Sequence, residues 1–294
     1  MIRSYAVVTP ARDEADNLPR LATCLAAQTL RPRTWTIVDN GSSDGTLELA
    51  QSLAAKYDWV HFLAVRGASS ANRGAPIVRA LQAGIAALAP DPPEIVVNVD
   101  ADISMDPDYF EELIRNFDAD PSLGIASGSA FELEEATWRQ RFVTGSTVWG
   151  ASRAYRWECL QDILPLEERV AWDGLDEFKA NSRGWRTQTF EELPFRHHRR
   201  EGERDGTRWR ARLNQGHAAH YLGYRVWYLA LRALWQARRD PAALGLIWGY
   251  AVAAIRGEPR SPDQSARDYL RRQQSLRSLR LRVLEAAGRR GRAA

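Results

Sequence analysis

Cysteine is nearly absent from this chain of 294 residues: only Cys24 and Cys159 occur, far apart and in no zinc or redox spacing. That pattern excludes a disulfide scaffold and a cysteine metal centre, and both thiols read as small core residues in a reduced compartment. Long hydrophobic runs are missing too. The longest weakly charged stretch, 241–255 (PAALGLIWGYAVAAI), is shorter than the roughly 20 residues that span a bilayer and contains two glycines, so no transmembrane helix is expected. Met1 leads straight into Tyr5-Ala6-Val7-Val8 without a basic leader or cleavage site, so the expected location is cytoplasmic, free or at the inner face of the membrane. No G-x-G-x-x-G follows a strand and no P-loop occurs, which disfavours a nicotinamide dehydrogenase and a P-loop NTPase.

Charge is unevenly spread. The net value is +3, yet residues 256–294 carry eleven arginines against four acids, a local +7 that leaves about −4 for the rest. Such a tail suits a solvated helix face, anionic lipid or nucleic acid, the last being the least favoured. With 45% apolar residues, the length is enough for one catalytic α/β domain and a modest extension.

Apolar runs at 4–8, 34–38, 60–65 and 94–99 read as strands. Between them lie helical patterns near 17–28, 46–57 and 76–88. Strand and helix in alternation predict a parallel sheet covered on both faces. In such sheets ligands sit at the carboxyl ends of the strands, where Asp39-Asn40 and the Asp100-Ala101-Asp102 cluster stand. Two carboxylates on alternate residues let one face a ribose while the other reaches a divalent cation. Mg²⁺ and Mn²⁺ take oxygen ligands and are commonly held by one or two carboxylates plus substrate phosphates.

The segments Val7-Val8-Thr9-Pro10-Ala11-Arg12-Asp13-Glu14, Ile37-Val38-Asp39-Asn40-Gly41-Ser42-Ser43-Asp44-Gly45-Thr46 and Val99-Asp100-Ala101-Asp102 together resemble glycosyltransferase family 2 in order and spacing. Over roughly residues 4–195 the resemblance implies a GT-A fold, a nucleotide-diphosphate sugar donor, Mg²⁺ or Mn²⁺, a hydroxyl acceptor and inversion at the anomeric carbon. It places Pro10, Arg12 and Glu14 at the nucleoside pocket, Asp39 on the base with Asn40 beside it, and Asp44 in support of that loop. Asp100 then meets the ribose or the metal, with Ala101 next to it, and Asp102 meets the metal. Alternatives stay open at the ends of this set: Pro10 as a strand terminator, and Asp44-Gly45 as a simple turn before the helix at Thr46. The family has a glycine-rich turn where this chain has Gly67 to Gly74, which makes Asn72, Arg73 and Arg79 candidates for the diphosphate.

Inverting transfer needs a carboxylate to take the acceptor's proton. The family places an acidic pair ahead of a Gly-aromatic step. Asp173, eleven residues before Gly184-Trp185, falls on its catalytic aspartate, while Trp172 stands in the place of the usual glutamate. Asp176 is the rival base, and a helix amino-terminal cap is the structural alternative for Asp173. His197 and His198 follow the last expected strand, 187–195; either is a candidate to complete the metal site, the alternative being a pair of loop histidines that never touch metal, and Arg196, Arg199 and Arg200 around them are candidate anion contacts.

The expected organisation is a catalytic domain, 1–200, and a helical, basic extension, 201–294. Arg208-Trp209 resembles part of the Q-x-x-R-W of processive family members, but Asp205 stands where glutamine belongs, which disfavours polymer synthesis. Helices expected over 221–234 and 241–255 carry aromatic and basic residues suited to a membrane interface, to packing or to a homodimer contact. The acceptor is accordingly either lipid-linked or a small molecule. The rival readings are a nucleotide-sugar-binding protein without turnover and a nucleic-acid-binding protein acting through the tail.

Overall fold

Alternate residues of the first strand belong to opposite sides of one sheet. In β1 (Tyr5–Ala11) Tyr5 and Val7 join one apolar cluster, and Ala6 and Val8 the other. That is the pattern of a strand buried on both faces, and it explains why β1 reads as a continuous apolar run. The computed structural model describes residues 2, 4–65, 74–134, 136–141, 147–199 and 207–278. It divides into two compact units, Met1–Arg200 and Glu201–Ala294.

The first unit runs β1, α1 (Leu18–Ala26), β2 (Thr34–Asp39), α2 (Thr46–Lys56), β3 (Val60–Ala64), α3 (Gly74–Leu88) and β4 (Ile95–Val99). It continues with β5 (Ile103–Met105), α4 (Tyr109–Ala119), β6 (Leu123–Glu134), β7 (Thr137–Gln140), β8 (Ser152–Arg156), α5 (Trp157–Ile163), α6 (Trp172–Ser182) and β9 (Arg186–His197). Among the described residues nine strands form one sheet in the order β3-β2-β1-β4-β8-β6-β9-β5, with β7 paired to β6. Pairing is parallel from β3 through β4, as the strand-helix alternation predicts, and mixed beyond it. The change falls at β8, which runs antiparallel to both its neighbours.

Helices α1, α2 and α4 cover one face of the sheet, and α3, α5 and α6 cover the other. On the first, Leu18, Leu21 and Leu25 of α1 are fully buried, spaced at three and four residues as a helix stripe requires. On the second, Gly84 lets α3 lie close to the sheet, since a Cβ there would sit 2.4 Å from Cγ1 of Val8.

The second unit contains α7 (Arg208–Tyr221), α8 (Val226–Ala237), a 3-10 turn (Pro241–Leu244), α9 (Gly245–Ile255) and α10 (Gln264–Gln273). The helix expected over 221–234 is broken because Gly223 adopts a left-handed φ of 75°, so α7 ends at Tyr221 and α8 starts afresh. Among the described residues no helix is long and apolar enough to cross a membrane.

Candidate functional site

The carboxyl ends of β1 and β2 are laced together. Asn40 N–H donates to the Ala11 carbonyl at 2.9 Å, and Asp39, buried at the end of β2, accepts from the N–H groups of Gly41 (3.1 Å) and Ser42 (3.3 Å). This turn needs the left-handed φ of 72° at Gly41, which glycine adopts without a Cβ clash. Asp44 ties the loop to the chain after β1. It accepts from Thr46 N–H and Ala15 N–H, each at 3.1 Å, and the Thr46 hydroxyl bond holds its carboxyl below the usual range. Thr46 in turn accepts from Glu14 N–H at 2.8 Å. Pro10, Glu14, Asp39, Asn40 and Asp44 thus lie at the carboxyl ends of β1 and β2 and in the two joined loops that follow.

Next along that rim come Asp100 and Asp102. Strand β5 follows them at once and pairs antiparallel with β9, which sets His197 opposite Ile103. In that register His197 Nε2 lies 3.3 Å from Asp102 Oδ1, and one ligand atom each from Asp100, Asp102 and His197 all fall within 4.8 Å of one another. His198 points elsewhere: its Nε2 lies 2.7 Å from the Ser104 hydroxyl, and its ring packs edge-on to Trp138. Burial, and then the negative charge of Asp102, push Asp100 up to about 6. Burial acts on Asp102 in the same sense, but the His197 hydrogen bond and the charges of His197 and Arg199 outweigh it and leave its carboxyl below the usual range. His197 is raised, because its bond to Asp102 overcomes the cost of burying its charge. Two carboxylates and an imidazole within this spacing form a donor set that fits a divalent cation.

Arg199 is committed within the protein. It grips Glu14 with two bonds, 3.0 and 2.9 Å, and lies 3.5 Å from Asp102 Oδ2, joining the β1 loop to the acidic cluster. Arg79 pairs with Glu168 at 2.6 Å, and Arg12 lies 3.9 Å from Asp13. Arg196 reaches Asp106 at 3.1 Å. Ala101 is buried between its acidic neighbours. Asn72, Arg73 and Arg200 lie outside the described residues.

Asp173 sits in the first turn of α6. The residue at the cap is Ala171, with a left-handed φ of 64°, so Asp173 is not the cap; its Oδ1 accepts from the next N–H, of Gly174, at 2.9 Å. Its other oxygen lies beside Gly150, 3.5 Å from where a Cβ would project. Gly150 belongs to a strap, residues 147–151, that crosses the strand ends. The Gly150 carbonyl accepts from Asn98 Nδ2 at 2.9 Å, and the Ala151 carbonyl accepts from Asp100 N–H at 2.8 Å. The strap therefore passes beside the Asp173 carboxylate and is hydrogen-bonded to the end of β4 and to Asp100 through two consecutive peptide groups. Asp176 is sealed: it accepts from the Tyr155 hydroxyl at 3.1 Å, and burial pushes it up to about 7.

The Glycosyl transferase family 2 profile matches residues 6–162, more than half of the chain. The chain belongs to that family. No curated protein matches it significantly. Among solved structures, the mannosyltransferase PcManGT of Pyrobaculum calidifontis, in complex with GDP-Man and Mn²⁺, is similar with a TM-score of 0.58 and 18% identity, over 95% of this chain and 88% of that one. S. aureus TarS 1–349 gives a TM-score of 0.52 and 19% identity over 67% of this chain, which spans 60% of the TarS structure. GalNAc-T7 with UDP, GalNAc and Mn²⁺ gives 0.56 and 13% identity, over 75% and 48% of the two chains. At such identities the likeness establishes the GT-A fold.

Within this family 2 chain, the residues that sequence reading missed are those that hold the strap. Arg153 of β8 is fully buried and donates from Nη2 to Glu177 Oε1 (2.8 Å) and to the Val148 carbonyl, and from Nη1 to the Asp173 carbonyl (2.9 Å). Glu177 Oε1 also accepts from Val148 N–H at 2.8 Å. Strap, β8 and the first two turns of α6 are thereby closed into one hydrogen-bonded ring. The available signal was the pair of extra acids after Asp173 together with an arginine between small residues of a strand.

Proposed function

We propose that the chain is a metal-dependent inverting glycosyltransferase that moves a sugar from a nucleotide diphosphate to a hydroxyl acceptor, either a small molecule or a lipid-linked sugar. The observation that carries this reading is the convergence of Asp100, Asp102 and His197 within 4.8 Å on the rim that also holds Asp39, in a chain of family 2. The imidazole among the ligands favours Mn²⁺ over Mg²⁺, since nitrogen donors suit transition metals better. PcManGT and GalNAc-T7, both with Mn²⁺ in their structures, share the fold.

In this reading Asp39 and the loops around Asp44 hold the nucleoside, and Asp100, Asp102 and His197 hold the cation, which supplies positive charge to the leaving diphosphate. Asp173 accepts the proton of the acceptor hydroxyl as that oxygen bonds to the anomeric carbon. The bond from that carbon to the diphosphate oxygen breaks on the opposite face, and its electron pair leaves with the diphosphate. Arg153 and Glu177 keep the Asp173 backbone and the strap in fixed register, so that the base is pre-positioned.

A thermal-shift screen of nucleoside-diphosphate sugars with Mn²⁺ or Mg²⁺ tests the reading, with donor turnover measured in parallel and the product anomer assigned by NMR. Stabilisation by no nucleotide removes it. Binding without any turnover marks a nucleotide-sugar-binding protein instead, and retention of anomeric configuration removes the inverting mechanism.

A further inference from the structure

The second unit turns apolar side chains outward. On α8, Trp227, Leu231 and Trp235 follow one another at four-residue spacing and are exposed, Trp235 to 63%. The opposite side of that helix packs Leu229 and Ala233 into a small core with Leu246 and Tyr250 of α9. On α9 the outward stripe is Ile247, Trp248 and Ile255, with Trp248 at 62% and Ile255 at 86%. Both helices are thus apolar on the side away from their core, the reverse of an ordinary surface helix.

The surrounding charge is predominantly positive. Residues 207–278 carry thirteen arginines, no lysine and four acids, a net +9 within a chain whose total is +3. Arg225, Arg232, Arg238 and Arg239 on and beside α8 are exposed, and the Arg238 guanidinium sits 4.8 Å from the centre of the Trp235 ring. A second copy of this chain would bring equal positive charge against the same faces, which opposes a dimer. Nucleic acid would match the arginines but has no use for exposed leucine and isoleucine. An anionic bilayer matches both, because tryptophan and aliphatic side chains enter the headgroup boundary while arginines meet lipid phosphates.

We propose that the helical unit docks on an anionic lipid surface through the exposed faces of α8 and α9, with Trp235 and Trp248 inserted at the interface and the arginines on the headgroups. Vesicle binding is independent of donor binding, so failure of either leaves the other standing.

The test is co-sedimentation of the full chain with phosphatidylcholine vesicles, with and without phosphatidylglycerol, against duplex DNA as a competing polyanion. Binding should require phosphatidylglycerol and weaken with salt. The double substitution Trp235→Ser and Trp248→Ser should lower vesicle affinity roughly tenfold or more. Arg238→Glu with Arg239→Glu should lower it further on anionic vesicles, while the circular dichroism melt of both variants stays unchanged. Four results overturn the proposal: no binding to anionic vesicles; vesicle binding that survives the tryptophan substitutions; DNA binding tighter than vesicle binding and unchanged by those substitutions; or a dimer that those substitutions dissociate, without vesicle binding.

Discussion

Arg153→Met removes the one cation of a buried ring while keeping much of its volume. Arg153 is 0% exposed and Glu177 4%, and the guanidinium satisfies the Glu177 carboxylate and the carbonyls of Val148 and Asp173. Taking away one partner of a buried pair leaves the other charged and dry, which costs about 3–5 kcal/mol. Against a typical total stability of about 5–15 kcal/mol, the variant stays folded but with a much reduced denaturation midpoint. The loss depends on pH. Burial already pushes Glu177 up to about 7, opposed by Arg153, so without Arg153 its pKa rises further. A group whose folded pKa exceeds its unfolded value contributes stability that is fully present below the unfolded pKa and is lost as pH rises through the folded one. The window here runs from about 4.5 to 7 in the wild type and extends higher in the variant, so the penalty of the substitution grows from acid to alkaline pH.

Urea denaturation at about pH 5 and about pH 8 measures that difference. Arg153→Met combined with Glu177→Gln removes the stranded charge and should recover at least half of the lost stability. It should not recover turnover, because the strap and the Asp173 carbonyl remain unbraced, and the deficit should appear in kcat rather than in donor KM. A single variant within about 1 kcal/mol of wild type at both pH values, or a double variant no more stable than the single, refutes the account of the ring.

Asp173→Asn should lower kcat by about 10²–10⁴ with donor affinity retained, whereas Asp176→Asn, replacing a sealed carboxyl pushed up to about 7, should keep kcat within a few fold; equal losses would remove Asp173 as base. His197→Ala should abolish the extra thermal stabilisation that Mn²⁺ gives with a nucleoside diphosphate, while His198→Ala, whose ring faces Ser104, should retain it. Gly84→Ala drives a Cβ to 2.4 Å from Val8 Cγ1 and should cost about 1–3 kcal/mol in urea denaturation with the site chemistry intact.

The strands, the strand-end acids and the order of the motifs were legible because each is local: an apolar run followed by Asp or Asn reads the same way wherever the chain goes next. What needed three dimensions was pairing. Neighbouring residues of an extended chain point to opposite sides, so the choice between His197 and His198 follows from the register that sets His197 opposite Ile103. Arg199 and Arg79 read as anion contacts in the sequence, but each has an acid beside it, Glu14 and Glu168, from a distant segment. Arg153 was hidden by the alternation rule itself. A charged residue in a strand reads as the solvent-facing half of the pattern, yet β8 lies mid-sheet and is covered on both faces, so its arginine is buried and must be paired.

Helix α6 explains why three acids in five residues differ in their surroundings. Asp173, Asp176 and Glu177 stand at i, i+3 and i+4, on one side of α6, and would pass for a solvated face. Burial instead deepens along the helix, and one turn, an advance of about 5.4 Å, carries the chain from the half-buried Asp173 to the buried Asp176 and Glu177. Strand β8 answers them with Arg153 and Tyr155, which share a face because they are two residues apart, the first reaching Glu177 and the second Asp176. Arg153 spans the turn, since it binds the Glu177 carboxylate and the Asp173 carbonyl together. Buried acids thus brace the backbone at Asp173, and a change at Glu177 should be felt at Asp173 through a single guanidinium.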